Sequence, residues 1–302
     1  MRSKVVTLGF VVICISGLAV TMGRKSPIAS ETDVPVRSIG MIPLAEKNRN
    51  ENEIDKMILE GKTLANAGNK ESVLAALRFF ESALKLSRAV KDKPRQASSL
   101  NYIATVYRML GESQKALDHT SECLLLDRAM GNRQNEAIML NNIGLDYSNL
   151  GEKEKALDYY NQALPLDRAL GNRTGEASTF HNIGMVYSSS GEKEKALDYY
   201  KKALALRQDV GDKLGTATTL TNIGIVYDAL GDKNKAIDYH NQALPIWRTI
   251  GDKSGEYKTL IQLNGIYNAL GDQEKASEFF KQALKISNVK EIVTTTKGES
   301  VK

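Results

Sequence analysis

Apolar residues recur along most of this chain with the period of an α-helix. In the stretch 140–150 they are spaced by three and four residues, which places them on one helix face. These residues are Leu140, Ile143, Tyr147 and Leu150. Gly151 then interrupts the pattern, as a helix-ending glycine does, and a second helical set starts at Ala156. So short a connection favours antiparallel packing, and the pattern therefore predicts a helical hairpin.

The hairpin pattern repeats every 40 residues. GEKEKALDYY occurs unchanged at 151–160 and at 191–200, and GNR or GDK phrases mark the start of most units. Five units follow one another, namely 94–133, 134–173, 174–213, 214–253 and 254–290. A divergent unit, 51–93, precedes them, and a tail, 291–302, follows. Units of this kind stack on their neighbours, so the sequence predicts an all-α solenoid over 51–290.

The recurring residues resemble those of the tetratricopeptide repeat (TPR). In the second unit they are Leu140, Ile143, Gly144, Tyr147, Ala156, Tyr160 and Ala163. The 40-residue period is similar to that of kinesin light chain, spindle-orientation scaffolds and bacterial TPR arrays. The resemblance implies a right-handed superhelix of antiparallel hairpins whose first helices line a concave face. The outer units depart from the pattern, with Ala104 and Asn264 at the position of Gly144.

Several conspicuous residues are better explained by packing than by chemistry. Glycine in a helix costs about 1 kcal/mol against alanine, so the recurrence of Gly144 at 184 and 224 suggests that a neighbouring helix backbone comes close. The tyrosines 107, 147, 187, 227 and 267 are interpreted as helix packing, and Trp247 and Cys123 as core residues. Pro165 and Pro245 are expected to bend the second helices or end them early.

The N-terminal segment has the pattern of an export signal. Arg2 and Lys4 precede an uncharged apolar run, Val5–Met22, which as a helix would be about 27 Å long. We therefore predict a signal peptide or signal anchor over 1–23. The protein would be exported, to the periplasm or outside the cell, or anchored by residues 5–22. Residues 24–50, with three prolines, are predicted to form a flexible linker.

Composition and motifs argue against catalysis and against nucleic acid as a partner. The net charge is +5, with no basic block interleaved with aromatic residues. His119, His181 and His240 lie in three different units, so they predict neither a metal cluster nor a nucleophile–base pair. No phosphate-binding glycine loop occurs. We expect a protein that is not an enzyme and that has no metal or cofactor, and whose only membrane contact is its N-terminal segment.

The resemblance implies that a binding site lies on the first helix of each unit. Peptides bound by TPR arrays commonly contact an asparagine two residues before the packing glycine, and Asn142, Asn182 and Asn222 hold that position here. An amide both donates and accepts, so three of them could hold the main chain of an extended segment. The alternative is that these residues only solvate a helix face. Helical steps add the remaining candidates: Asn141, His181, Thr221, Ile138, Ser178, Thr218, Leu145, Met185, Ile225, Asn101, Arg108 and Lys258.

These observations predict a non-catalytic adaptor or scaffold that binds a protein or peptide segment, extended or helical, in the concave groove. Two alternatives stay open. One is a self-assembling structural protein that associates through the ends of the array. The other is a regulatory subunit of a separately encoded effector such as a protease. The tail is expected either to cover the open apolar face of the last hairpin or to leave that face for another subunit.

Overall fold

The computed structural model describes residues 44–298, with side chains from 45 to 287. Twelve α-helices and no strand occupy this range, and consecutive helices pair into six hairpins. The helices are α1 Leu44–Asn66, α2 Lys70–Ala89, α3 Lys93–Met109, α4 Ser113–Met130, α5 Arg133–Asn149, α6 Lys153–Ala169, α7 Arg173–Ser189, α8 Lys193–Asp209, α9 Lys213–Ala229, α10 Lys233–Ile250, α11 Lys253–Leu270 and α12 Gln273–Gly298. The predicted all-α solenoid of helical hairpins is confirmed.

Helices extend beyond both ends of the region assigned to the array. At its start, α1 begins at Leu44, inside the segment 24–50 that was assigned to a linker. In the sequence Pro43 stands directly before it, and residues 44–50 contain neither proline nor glycine. At its end, α12 continues to Gly298, into the segment assigned to a tail. The predicted signal or anchor, 1–23, lies outside the described residues. Within 44–298, none of the helices has the length and apolar character needed to cross a membrane.

The GNR and GDK phrases have a local structural cause. Gly171 and Gly211 take the left-handed conformation, with φ of 65° and 72°, and so end one helix. The next residue caps the following helix, since the side chain of Asn172 accepts from the Gly175 N–H and that of Asp212 from the Gly215 N–H. One glycine and one amide or carboxylate therefore define the connection between two hairpins.

The glycines inside the first helices face aromatic rings. A Cβ atom built on Gly144 would lie 2.6 Å from the Tyr160 ring, and one on Gly184 would lie 2.7 Å from the Tyr200 ring. The expectation that a helix backbone approaches here is therefore wrong. The second helix of the same hairpin inserts a large ring, which is buried, and only glycine leaves room for it. The first hairpin has the same element, as Gly61 and Phe80.

In the outer units, the glycine of the first helix and the buried ring of the second helix are both altered. In the hairpin α3–α4 the glycine is replaced by Ala104, and the ring by the smaller Thr120. In α11–α12 the glycine is replaced by Asn264, whose amide donates to the Ala276 carbonyl over 2.8 Å, while Phe280 is exposed. Gly265 does not take over the packing role, because a Cβ there would meet no atom within 4 Å.

The remaining packing predictions are mostly confirmed. Tyr147, Tyr187, Tyr227 and Tyr267 each stack on an aromatic ring of the second helix of their hairpin, with ring centroids 5.4–5.5 Å apart. Trp247 and Cys123 are buried. Of the prolines, Pro165 and Pro245 lie inside α6 and α10, which continue to Ala169 and Ile250. The expectation of an early helix end is wrong, since tertiary packing on both sides holds the last turn in place.

Candidate peptide-binding face

Five helices, α3, α5, α7, α9 and α11, present the predicted binding residues; we call the side that carries them the ladder face. Along α5 it comprises Ile138, Asn141, Asn142 and Leu145, at steps that keep them on one side of the helix. Most of the predicted residues are half-buried, between the core and solvent. Such residues are held by their neighbours yet remain within reach of another molecule.

Hydrogen bonds join this face from one unit to the next. The Asn182 amide of α7 donates to the Asn141 carbonyl oxygen of α5 over 2.8 Å. Asn141 in turn donates to the hydroxyl of Thr179, one helical turn before Asn182. The asparagines of neighbouring units are therefore close enough to fix each other's orientation.

A second group of bonds joins α7 to α9. The Asn222 amide lies 3.3 Å from His181 Nε2, and Thr219 Oγ1 lies 3.3 Å from His181 Nδ1. With the amide donating to Nε2, the proton of a neutral ring is on Nδ1 and points to the Thr219 oxygen. Burial and the nearby Arg207 hold the pKa of His181 well below its usual range, in agreement with a neutral ring. The structure thus places His181 beneath the surface, where it orients Asn222.

Arg207 and Trp247 support the same face from below, and neither was among the residues predicted for it. Arg207 is buried and donates to the Thr219 hydroxyl over 2.6 Å. Trp247 donates from Nε1 to the Thr221 hydroxyl over 3.2 Å. Both occupy one repeat position, held by Asp127 and Asp167 in earlier units. This position changes between an acid, a base and an indole, while the rest of the unit is retained. Such variation at one repeat position was the signal that could have revealed Arg207 and Trp247.

Arg108, predicted at one end of the groove, is also drawn inward. Its guanidinium makes two bonds to the Asp146 carboxylate, of 2.6 and 3.1 Å, and one of 2.6 Å to Thr120. Both charged side chains are buried. Asp146 stands where the other units have Val106, Val186, Val226 and Ile266. The positive charge expected from Arg108 is therefore neutralised inside the array.

The other predicted residues differ in what they offer a ligand. Ser178, Thr218 and Thr221 each donate their hydroxyl proton to a carbonyl four residues earlier in their own helix. Ile225 and Lys258 are exposed. Met185 is partly buried in the core, and the buried Asn101 Oδ1 has no partner among the described residues. The carbonyl oxygens of Asn182 and Asn222 and the Asn142 amide make no hydrogen bond within the described part of the chain.

Reactive groups on this part of the chain are few. No set of three histidine, cysteine or acidic side chains within the described residues could hold a metal ion. The Cys123 thiol lies 3.2 Å from the Ala97 carbonyl, and burial raises its pKa, so the reactive thiolate is disfavoured. Cys123 therefore packs as a small apolar residue.

Solved structures with a similar fold cover most of this chain. BtubC (BKLC) from P. vanneervenii is 20% identical, with a TM-score of 0.60 over 80% of this chain and 92% of its own. Aspartyl phosphate phosphatase F from Bacillus subtilis is 16% identical, with a TM-score of 0.62 over 79% and 71%. A Rap protein complexed with Competence and Sporulation Factor is 16% identical, with a TM-score of 0.63 over 78% and 75%. At these identities the likeness establishes the fold alone.

Six stacked helical hairpins with recurring small and aromatic positions define an α-solenoid repeat protein. Profiles of the tetratricopeptide repeat match residues 135–209, 175–249 and 258–289. The chain is a tetratricopeptide repeat protein, as the residues at 140–163 indicated. No curated protein matches it.

Proposed function

We propose that the protein is a non-catalytic adaptor or scaffold that binds a peptide or protein segment along the ladder face. The observation that carries the proposal is the bond from the Asn182 amide to the Asn141 carbonyl, which links two units at 2.8 Å. Amides that are already oriented lose less conformational entropy when a ligand binds, so they favour affinity.

The arrangement also suggests what kind of ligand would fit. Asn182 and Asn222 use amide protons within the array, and the structure gives their carbonyl oxygens no partner among its described residues. Oxygens placed at repeating intervals suit a ligand with repeating donors, such as the main-chain N–H groups of an extended segment. Asn142 makes no side-chain hydrogen bond to another described residue and is able to donate and accept. The exposed Ile225 adds an apolar contact.

Charge on this face favours an uncharged or mixed segment. Arg108 is neutralised by Asp146, and the histidine of the face is neutral. A C-terminal carboxylate, which closely grouped lysines and arginines would recognise, is therefore disfavoured. Among the neighbours, the Rap structure contains a bound factor, and this supports a protein or peptide as the class of partner.

The predicted location fits this role without depending on the ladder face. A signal or anchor at 1–23 would bring the array outside the cytoplasm, either released or held at the membrane. The partner would then be a periplasmic, extracellular or membrane-attached protein. Fractionation of the native host, with an antibody against the array, distinguishes a released protein from an anchored one.

Co-purification from the native host tests the binding role. The triple variant Asn142→Ala/Asn182→Ala/Asn222→Ala is compared with Asn161→Ala/Lys201→Ala/Asn241→Ala, which changes exposed residues on α6, α8 and α10. We expect the first variant to lose the partner, by about tenfold or more for three lost polar contacts, and the second to retain it. Equal retention by both variants, with unchanged helical circular dichroism, would show that the ladder face is not the binding element.

A further inference from the structure

The last helix of the described array exposes an apolar stripe. Phe280 is 45% and Leu284 42% exposed, although both lie at positions that are core elsewhere. Most residues at these positions in earlier units are buried, among them Tyr160, Tyr200, His240, Leu124, Leu164 and Leu244. In those units the following hairpin covers the helix, and the glycine opposite the ring leaves it room. In α12 no described helix covers this side, and Asn264 occupies the position of that glycine.

Charged residues flank the stripe in an ordered way. Ser277, Phe280 and Leu284 follow helical steps of three and four, so they share one side of α12. Beside them, on one flank, lie four exposed charges: Glu274, Glu278, Lys281 and Lys285. The acidic pair precedes Phe280 and the basic pair follows it. The flank is therefore negative in its first half and positive in its second.

The order of charges along this flank is complementary to the same flank of α12 in a second copy of the chain. When two identical helices pack antiparallel, residues of the same flank face each other across the contact. Glu274 then lies opposite the partner's Lys285, and Glu278 opposite the partner's Lys281, in one common register. In a parallel arrangement this flank would face the partner's opposite flank, so these complementary charges would not meet. We propose that the chain forms a two-fold symmetric dimer through α12.

The apolar stripe fits the same register. Its centre lies between Phe279 and Phe280, so the two exposed Phe280 rings meet near the two-fold axis. Leu284 of each copy then lies over the turn that contains the partner's Ser277. Serine is smaller than the residues at this position in the other units, which are Leu117, Leu157, Leu197 and Ile237. The smaller side chain leaves space for the leucine.

A second copy accounts for these residues better than an unrelated partner. Lysine occurs singly at these two positions in other hairpins, as Lys201 and as Lys85, but α12 is the one described second helix that carries both, so the complete basic pair is not a repeat feature. A different protein would require no internal complementarity in α12. An isologous contact does require internal complementarity, because the same helix surface lies on both sides of the two-fold axis. The surface is separate from the ladder face, so either proposal can fail alone.

Sedimentation of the purified full-length chain tests the dimer by charge exchange. One variant, Glu274→Lys/Glu278→Lys, makes the flank wholly positive, and another, Lys281→Glu/Lys285→Glu, makes it wholly negative. We expect a dimeric wild type, and self-association at least about 100-fold weaker in each variant, because four attractive pairs become repulsive. Mixing the two variants in equal amounts restores attraction at every pair, so we expect a mixed dimer.

Control variants keep the interpretation unambiguous. Glu194→Lys/Asp198→Lys makes the equivalent change on α8 and should leave the dimer intact. If a charge variant fails to fold, Phe280→Ser/Leu284→Ser replaces it, since both side chains are already exposed and the fold should tolerate them. A monomeric wild type contradicts the proposal, whether residues 1–43 or another protein covers the face. Variants that remain dimeric, or a mixture that stays monomeric, contradict it as well.

Discussion

At single positions of this array, the residue type depends on the residue that it contacts in the other helix of the same hairpin. The glycine of the first helix and the ring of the second form one unit of packing, seen at Gly144 with Tyr160 and at Gly184 with Tyr200. Where one member changes, the other changes too, as Ala104 with Thr120 shows. The sequence alone revealed the recurrence of the glycine, but the choice between a backbone and a ring as its neighbour required the three-dimensional register of the two helices.

Two alanine substitutions separate packing from helix propensity. Gly184→Ala introduces a Cβ 2.7 Å from the Tyr200 ring, whereas Gly265→Ala meets no atom within 4 Å. We expect Gly184→Ala to lower the free energy of unfolding by about 1–2 kcal/mol, because overpacking exceeds the gain in propensity. Gly265→Ala should raise it by up to about 1 kcal/mol. Urea unfolding measures both, and equal effects of the two changes would contradict the ring-contact explanation.

His240 occupies the ring position of its hairpin, and it makes stability depend on pH. It is buried, and neither ring nitrogen has a partner among the described residues. Burial lowers the pKa of His240 to about 4, although Asp228 opposes this shift. Because the folded-state pKa lies below the unfolded value near 6.5, this contribution to stability is complete above pH 6.5. It is lost as the pH falls from 6.5 towards 4.

The substitution His240→Phe tests this dependence. Phenylalanine cannot be protonated, and Phe80 already fills the equivalent place against Gly61. The variant should be more stable than wild type at pH 7, and its advantage should grow by about 3 kcal/mol as the pH falls from 7 to 4. Thermal unfolding followed by circular dichroism across this range measures the difference. A constant difference between the two proteins would show that His240 is not the titrating group.

At the scale of the helices, most of the architecture could be predicted from the sequence. Periodic apolar positions located the hairpins, and the GNR and GDK phrases marked their connections because a glycine and a capping side chain act there locally. The helix continuing through Pro165 could not be predicted from propensity, since contacts with neighbouring helices stabilise its last turn. The candidate site was predicted only as a face. Which side chains point outward, and which are buried like His181, depends on bonds between units.

The buried ion pair between α3 and α5 depends on substitutions at several positions that occur together. Arg108 replaces short polar residues of the other units, Thr120 an aromatic residue and Asp146 an aliphatic one, and the guanidinium bonds to Thr120 where the other units have a ring. Each change would be unfavourable alone, since it would bury an unpaired charge or leave a cavity. The three together satisfy most of their hydrogen bonds.

The variant Asp146→Val should therefore be strongly destabilised, by about 3–5 kcal/mol, because it leaves Arg108 buried without a counter-charge. Restoring the common residues at all four positions, with Ala104→Gly, Arg108→Ser, Thr120→Tyr and Asp146→Val, should recover stability to within about 1–2 kcal/mol of wild type. Chemical unfolding of the single and quadruple variants measures both effects. A quadruple variant no more stable than the single one would contradict the proposed coupling of these positions.

At the scale of the whole molecule, the two proposals concern two different surfaces of the array. Along α5, α7 and α9 the ladder face presents amides held by hydrogen bonds between units. The α12 face carries an apolar stripe with self-complementary charges. A dimer through α12 would present two ladder faces at once, which raises the apparent affinity for a partner that is itself repeated or clustered.

Site-specific photo-crosslinking in the native host tests the binding role of the ladder face most directly. A photoreactive residue is placed at Ser178, one helical turn before Asn182, or at Asp198, exposed on α8. We predict a protein adduct from Ser178 that disappears when Asn142, Asn182 and Asn222 are changed to alanine, and no comparable adduct from Asp198. Equal adducts from both positions, or an adduct from Ser178 that persists in the triple variant, would contradict binding along the ladder face.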